Sequence, residues 1–404
     1  MKHKLLPALI GAALVGGMGA AQADITVFGH IDASVRNQDT DKGFVNTATM
    51  PSTWTQGSRI AGANNTDNID DTNFVCTTCS IGFKGSEDLG NGLKAIFYLD
   101  FQYDMFNRNS GGSLTDRDQW IGLAGNFGQV RFGTISTGYK SHGAMLDPLY
   151  RTALQGRNYG MQSPLHSNAG EEGEGRADNT VRWDSPSWNG VKVMAHYTLD
   201  SDERDGTGIV AGTCTAPAAN PRCREDDDAF GIGAQYSNGG ILVFADWLTN
   251  NSNDDTNTGG DLTAWKVGGK YTINNFAVMG QYEDIEDNVT AFGANGKQEG
   301  TLWHLGASYT MGNNMLYAAY GSGSASDLLN DTVPNDDSDQ TAYTIAATHQ
   351  LSKRTMVYAG YNHMEQDNDS GVNNALTGAI AGGYGGTVDD PEQDTIAIGM
   401  KHKF

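Results

Sequence analysis

The chain has 404 residues, of which 48 are acidic and 26 are basic, so its formal net charge at pH 7 is −22. A protein this acidic repels phosphate, which excludes nucleic acid as a partner. Glycine is abundant at 53 residues, proline is scarce at 9, and 9% of the residues are aromatic. This composition argues against a disordered acidic chain and leaves folded classes open.

Residues 1–23 have the pattern of a secretory signal. Lys2 and Lys4 precede a short apolar stretch, and Ala21-Gln22-Ala23 supplies a cleavage site. We expect Sec-type export and cleavage near Ala23/Asp24, which leaves residues 24–404 as one domain with a formal charge of −24. A transmembrane anchor is the less favoured alternative, because the apolar stretch is short and polar sequence follows it at once.

After Ala23 no apolar run is long enough for a membrane-spanning helix, so the mature chain is either soluble or a membrane barrel. Period-two alternation dominates instead, as in residues 93–104, where the odd positions are apolar and the even ones mostly polar. Sixteen segments show such a pattern and predict β-strands. They lie near residues 25–36, 80–88, 93–105, 115–124, 128–134, 178–185, 190–201, 227–237, 240–251, 261–273, 276–285, 300–311, 314–323, 340–351, 355–366 and 394–404.

The connections between these segments alternate strictly in length. Seven are tight turns such as Asn238-Gly239 and Gly312-Asn313. Eight are long and polar: 38–79, 106–114, 135–177, 202–226, 252–260, 286–299, 324–339 and 367–393. A soluble sandwich or propeller has no reason to segregate its loops in this way. The pattern predicts an all-β fold, a 16-stranded antiparallel transmembrane β-barrel with short periplasmic turns and long external loops.

Four stretches of this sequence resemble the Gram-negative general porins. They are Gly82–Ala95, Gly122–Gly128, Asn179–Pro186 and the C-terminal Ile398–Phe404. The resemblance implies a homotrimer of 16-stranded barrels in the outer membrane, each pore narrowed by an inward-folded third loop. It also implies contact with outer-membrane lipid, lipopolysaccharide and the assembly machinery, with Phe404 as an assembly signal.

The resemblance further implies a basic wall at the narrow point of the pore. Arg117 matches the family's fourth-strand arginine. The alternation of their strands directs the side chains of Lys84 and Arg182 toward the lumen. Arg131 and Arg176 complete the expected pore-lining bases. Ser80 and Thr134, however, stand where the family usually has arginine, so a less basic constriction is expected.

The third long connection, about residues 135–177, is interpreted as the constriction loop, against the alternative of a solvated external loop. Its acids are expected to face the bases of the wall and to set ion preference. The candidate pore-lining acids are Asp147, Glu171, Glu172 and Glu174.

The other seven long connections contain 25 acidic and 7 basic residues. Such an acidic mouth concentrates cations within a Debye length of about 8 Å. Together with Ser80 and Thr134, it predicts a mild preference for cations. No metal or cofactor is expected, since the acids lack the fixed spacing of a calcium loop.

The four cysteines lie in two of these connections, as Cys76 and Cys79 and as Cys214 and Cys223. Four cysteines allow three pairings, and passage through an oxidising periplasm favours local disulfides. We favour Cys76–Cys79 and Cys214–Cys223, and a zinc site is less favoured because both pairs would have to converge.

The sequence predicts a channel for small hydrophilic solutes and ions and not an enzyme. His30 and Asp32 share the lumen face of the first segment, but no nucleophile can be placed beside them. A substrate-selective channel is the second hypothesis, and an outer-membrane enzyme or adhesin the third. Lumen-parity aromatics such as Phe28 and Tyr98 are scattered along the sequence, which favours the general pore.

Overall fold

The computed structural model describes residues 24–41, 68–106, 114–158, 162, 175–199, 228–251, 262–287, 298–326, 338–366 and 390–404. The predicted signal, residues 1–23, lies outside this part of the chain. No helix within the described ranges is long and apolar enough to cross a membrane.

Most of the described residues form one antiparallel sheet that closes on itself. Except between the second and third segments, each strand pairs with the next along the chain, and the first pairs with the last from His30 opposite Lys403 to Thr40 opposite Gln393. The strands are Asp24–Thr40 (β1), Ile69–Cys76 (β2), Ser80–Gly90 (β3), Leu93–Gln102 (β4), Thr115–Gly125 (β5), Gly128–Ser136 (β6), Arg176–Asp184 (β7), Val191–Leu199 (β8), Asp228–Asn238 (β9), Ile241–Asn251 (β10), Leu262–Ile273 (β11), Phe276–Asp287 (β12), Gln298–Met311 (β13), Asn314–Ser326 (β14), Ser338–Gln350 (β15), Thr355–Gln366 (β16) and Glu392–Lys403 (β17).

The seventeen segments fill sixteen positions in the wall, because β2 and β3 are successive parts of one strand. Both run antiparallel to β1, with Ala33 opposite Cys76 and His30 opposite Ser80. Three residues, 77–79, therefore lie opposite two, 31–32, which is a β-bulge. The prediction that all of 38–79 is a loop is wrong for 69–76, whereas the predicted 16-stranded barrel is confirmed.

The alternation of the sequence separates the two faces of the wall. Large apolar side chains such as Ile121, Leu305 and Ile398 are exposed on the outer face. Polar side chains of the opposite parity, such as Asp32, Glu283 and Asn362, lie on the inner face. An apolar exterior around a polar interior is the arrangement that lipid imposes on a closed barrel.

Aromatic side chains form a belt on the outer face of β10 to β15. Trp247 lies directly opposite Trp265, Tyr282 opposite Trp303, and Tyr320 opposite Tyr343. All six rings are more than a third exposed. A row of this kind is typical of the membrane–water interface.

Candidate pore constriction

The connection between β6 and β7 turns into the barrel. Its first part is a short helix, α1 (Gly138–Ala144), capped by the Thr137 side chain, which accepts a hydrogen bond from the Lys140 N–H. The Thr137 N–H donates to the Gly175 carbonyl over 3.0 Å and so joins the two ends of the connection. The strand bounds limit this third loop to residues 137–175, slightly shorter than the expected 135–177.

Polar contacts fix the loop to the opposite inner wall. The Tyr139 hydroxyl donates to the Glu283 carboxylate of β12 over 3.0 Å. The His142 Nδ1 lies 2.7 Å from Asp246 Oδ1 on β10. Farther along, the Ala153 N–H donates to the Tyr358 hydroxyl of β16 over 3.0 Å. The loop thus crosses the interior from β6 to the far side, which confirms the predicted inward-folded third loop.

An apolar cluster holds the same segment. Leu146, Leu149 and Leu154 are fully buried. They belong to one cluster with inner-wall side chains, among which are Phe244, Met279, Tyr317, Ala346 and Tyr358. Burying a leucine contributes about 1.5–3 kcal/mol, so three of them strongly favour the folded-in loop.

Asp147, one of the predicted pore-lining acids, braces the loop. Its carboxylate accepts hydrogen bonds from the backbone N–H groups of Leu149 and Gly156, each over 2.8 Å. Burial raises the pKa of Asp147 above its ordinary value. Glu171, Glu172 and Glu174 lie outside the described residues.

Arg117 and Arg151 meet at Asp100. The Arg117 Nε donates to Asp100 Oδ2 over 2.9 Å, and Arg151 Nη2 from the loop lies 3.9 Å from the same oxygen. Arg117 and Asp100 are almost fully buried, while about a quarter of the Arg151 side chain is exposed. Arg151 also holds a left-handed backbone, with φ of 60°, which is uncommon for a residue other than glycine.

Arg176 pairs with Asp118 at the start of β7. The Arg176 Nε donates to Asp118 Oδ1 over 2.7 Å, and Asp118 also accepts from the Ser136 N–H and hydroxyl. Arg176 was expected in the loop, but it opens the strand that follows.

A second pair of arginines shares Asp184. Arg182 Nη2 donates to Asp184 Oδ1 over 2.7 Å, and Arg131 donates to Asp184 Oδ2. Arg131 lies directly opposite Arg182 in the sheet, so both have the lumen parity. Lys84 lies opposite Tyr98 and is exposed.

Tyr150 lies between two loop arginines that the sequence did not single out. The Cζ atoms of Arg157 and Arg151 are 4.9 and 5.7 Å from its ring centroid. Burial favours the neutral phenol, but these two cations outweigh it and bring the pKa of Tyr150 down to about 8. Lys140 adds a further base, and its pKa is held well below the ordinary value by burial and by Arg176 and Arg157.

Comparison with known proteins identifies the architecture. A family model described as Gram-negative porin matches residues 8–369. The chain belongs to the Gram-negative porin family. Major outer membrane protein P.IB of Neisseria sicca is 26% identical over 437 aligned residues, which cover both chains completely.

Solved porin structures share the fold at low identity. The anion-selective porin from Comamonas acidovorans has a TM-score of 0.66 at 20% identity, covering 95% of this chain and all of that one. The OmpT trimer form from Vibrio cholerae has a TM-score of 0.59 at 14% identity, covering 95% and 99%. As a porin, this protein is an outer-membrane channel, which confirms the predicted localisation.

At Ser80, where porins usually have an arginine, the structure places an arginine of the third loop nearby. Ser80 is fully buried, with its hydroxyl 3.3 Å from His30 Nδ1. Arg151 Nη1 lies 3.2 Å from the same nitrogen. A loop arginine therefore occupies the region beside the wall position that lacks one. No sequence pattern indicates where Arg151 would lie.

The predicted disulfide Cys76–Cys79 and the C-terminal Phe404 both lie where segments of the barrel wall join. A disulfide joins Cys76 and Cys79 across the bulge between β2 and β3, with the Cα atoms 5.6 Å apart. Cys214 and Cys223 lie outside the described residues. Phe404 closes the barrel: its N–H donates to the Gly29 carbonyl over 3.1 Å, and the Gly29 N–H donates to its carbonyl over 3.2 Å.

Proposed function

We propose that this porin forms a water-filled pore through which small hydrophilic solutes and ions diffuse passively. The observation that carries the proposal is the third loop, which is fixed across the interior of a closed sixteen-position barrel. A barrel of this size encloses more space than its own side chains fill, and the loop narrows that space without sealing the wall.

We propose further that the pore works as a homotrimer, in contact with outer-membrane lipid and lipopolysaccharide and inserted by the outer-membrane assembly machinery. The resemblance of the sequence supports this proposal, and a solved structure of the same fold, OmpT, has a trimer form. Conductance that rises in groups of three equal steps is the expected signature. A uniform single step from cross-linked, purified oligomer would contradict it.

Ion preference depends on two opposed sources of charge. The acidic external connections predict a mild cation preference, and this stays a prediction. Around the acids Asp100, Asp118 and Asp147, the described constriction groups a larger set of bases: Arg117, Lys140, Arg151, Arg157 and Arg176. Salt screens exposed loops more strongly than the partly buried constriction. We therefore expect cation preference at low salt that weakens, or turns toward anions, at high salt.

Planar-bilayer recording of the purified full chain tests both parts. Large ohmic steps in the current would support the proposed pore function, and their absence would refute it. The zero-current potential across a potassium chloride gradient, measured near ~0.05 M and near ~1 M, spans Debye lengths from about 14 Å to about 3 Å. Anion selectivity at both salt levels would reject the cation preference, whereas a cation preference that persists at high salt would locate its source in the constriction.

A substrate-selective channel is the second candidate. It is favoured by a row of aromatic rings on the lumen wall, Phe28, Tyr98 and Trp120, whose centroids are 4.6 and 5.5 Å apart in succession.

A further inference from the structure

Three aromatic side chains that are distant in the sequence form a continuous strip in the structure. The rings of Phe28 and Tyr98 stack at 4.6 Å between centroids, and those of Tyr98 and Trp120 at 5.5 Å with an interplanar angle of 7°. The interpretation of the lumen aromatics as scattered is therefore wrong. Gly82 makes the strip possible, because a Cβ there would lie 2.4 Å from Phe28 Cζ.

The strip lies on the lumen face, directly beside the constriction. Phe28 precedes His30, and Tyr98 precedes Asp100, by two residues on the same face of their strands. His30 and Asp100 are the wall groups that Arg151 approaches. The strip thus begins one side-chain step, about 7 Å, to the periplasmic side of the arginine cluster. All three rings are partly exposed, so a solute in the pore can reach them.

Cations flank this aromatic strip at both ends. Lys84 Nζ lies 5.4 Å from the Phe28 ring centroid, and Arg131 Cζ lies 5.0 Å from that of Trp120. Arg131 shares Asp184 with Arg182, so two guanidiniums face one carboxylate. Lys84 is exposed and forms no ion pair with any acid in the described part of the chain.

We propose that the aromatic strip is a binding site for planar aromatic carboxylates, a proposal that rests on the pore function above. The solute ring packs against the exposed edges of Tyr98 and Trp120, whose faces are stacked on each other, and its carboxylate pairs with Lys84. Edge-to-face aromatic contact gains energy beyond burial of area, and a carboxylate gains a charge-assisted hydrogen bond from an ammonium group. Neutral sugars would use the rings but not the flanking charge, and organic cations would be repelled by it.

Block of the ion current by added solutes tests the site. Benzoate, cyclohexanecarboxylate, acetate and maltose are titrated against the purified channel at constant ionic strength, and the concentration that halves the conductance is measured. Benzoate and cyclohexanecarboxylate have the same charge and nearly the same size, but only benzoate has an aromatic face. We expect benzoate to act at a concentration at least about threefold lower than cyclohexanecarboxylate, and maltose and acetate to have little effect.

Two variants assign the effect to the strip. Trp120→Leu removes a stacking ring and should weaken benzoate block by about fivefold to tenfold. Lys84→Gln removes the pairing charge and should weaken benzoate and cyclohexanecarboxylate alike by about fivefold. Lys192→Gln is the matched control, because Lys192 is another exposed lysine of lumen parity, on β8 two residues before buried Met194. It should leave the block unchanged. Tyr98→Leu replaces Trp120→Leu if the latter does not assemble.

Several outcomes would overturn the proposal. Equal block by benzoate and cyclohexanecarboxylate would show that no aromatic contact is made. Unchanged block in Trp120→Leu, or in Tyr98→Leu as its substitute, and in Lys84→Gln would place the site elsewhere, and stronger block by maltose would make it a sugar site. A channel that conducts but is never blocked refutes only this proposal, whereas a chain that never conducts refutes the pore function itself.

Discussion

Raising the pH from 7 to 9 should shift the ion preference of the pore toward cations, because Tyr150 ionises in this range. Its pKa of about 8 is well below the ordinary value of a phenol, since Arg157 and Arg151 favour the phenolate more than burial disfavours it. Arg117 also acts on Tyr150, and the Lys401 ammonium donates to its backbone carbonyl. As the pH rises through 8, this cluster gains a negative charge and attracts cations more strongly.

The size of the shift follows from the charge and its distance. Between pH 7 and 9 the phenol goes from roughly one tenth to roughly nine tenths ionised, a change of about 0.8 charge. An ion passing ~5 Å away in water feels about 0.8 kcal/mol from a full charge, and screening at physiological salt reduces this by roughly half. The energy of a cation falls and that of an anion rises by about 0.35 kcal/mol, so the cation-to-anion ratio should increase roughly threefold.

The assay is the zero-current potential of the wild type and Tyr150→Phe at pH 7 and pH 9. Tyr150→Phe keeps the ring between the arginines but cannot ionise, so most of the shift should vanish. Tyr317→Phe is the control, because it removes a buried phenol from the apolar cluster under the loop. The pKa of Lys140 is also lowered, and this residue is unchanged in Tyr150→Phe, so its contribution is the same in both proteins. An undiminished shift in Tyr150→Phe would refute the assignment to Tyr150.

Two further predictions concern the loop and the seam of the barrel. Removal of residues 141–174 should enlarge the single-channel conductance without unfolding the barrel, because strand pairing satisfies the backbone in lipid; unchanged conductance in a folded variant would show that the loop does not narrow the pore. Deletion of Phe404 should lower the amount of heat-modifiable oligomer, because it removes two backbone hydrogen bonds to Gly29 and the ring that packs over that glycine; normal oligomer levels would argue against an assembly role.

The barrel could be predicted because period-two alternation and loop lengths are local signals. Both are present in the structure, where apolar side chains such as Ile121 and Ile398 face outward. The segment 69–76 was missed for a local reason. It reads Ile-Asp-Asp-Thr-Asn-Phe-Val-Cys, so the four consecutive polar residues 70–73 interrupt the apolar alternation of a lipid-facing strand.

The constriction could be predicted only in part, because its contacts join residues far apart in the chain. Arg117 was predicted from the family resemblance and Arg182 from the alternation of its strand. Both signals depend only on the strand that carries the residue. The positions of Arg151 and Tyr150 depend on where a loop with no repeating pattern comes to rest. Arg151 meets β1 and β4 across more than 50 residues of chain, and the Tyr150 carbonyl meets Lys401 of β17. The aromatic strip was missed for the same reason, since only sheet register brings Tyr98 opposite Trp120.

Pore size and pore charge are coupled in this porin, because some bases of the constriction belong to the barrel wall and others to the third loop. Arg117 and Arg176 are fixed by the wall, whereas Arg151 and Arg157 belong to the loop. Asp100 contacts one base of each kind, at 2.9 Å from Arg117 and 3.9 Å from Arg151. If the loop leaves, Asp100 keeps its wall partner, and Tyr150 leaves together with the arginines that lower its pKa. The pH-dependent part of the ion preference should therefore disappear with the loop, while the charge of the wall remains.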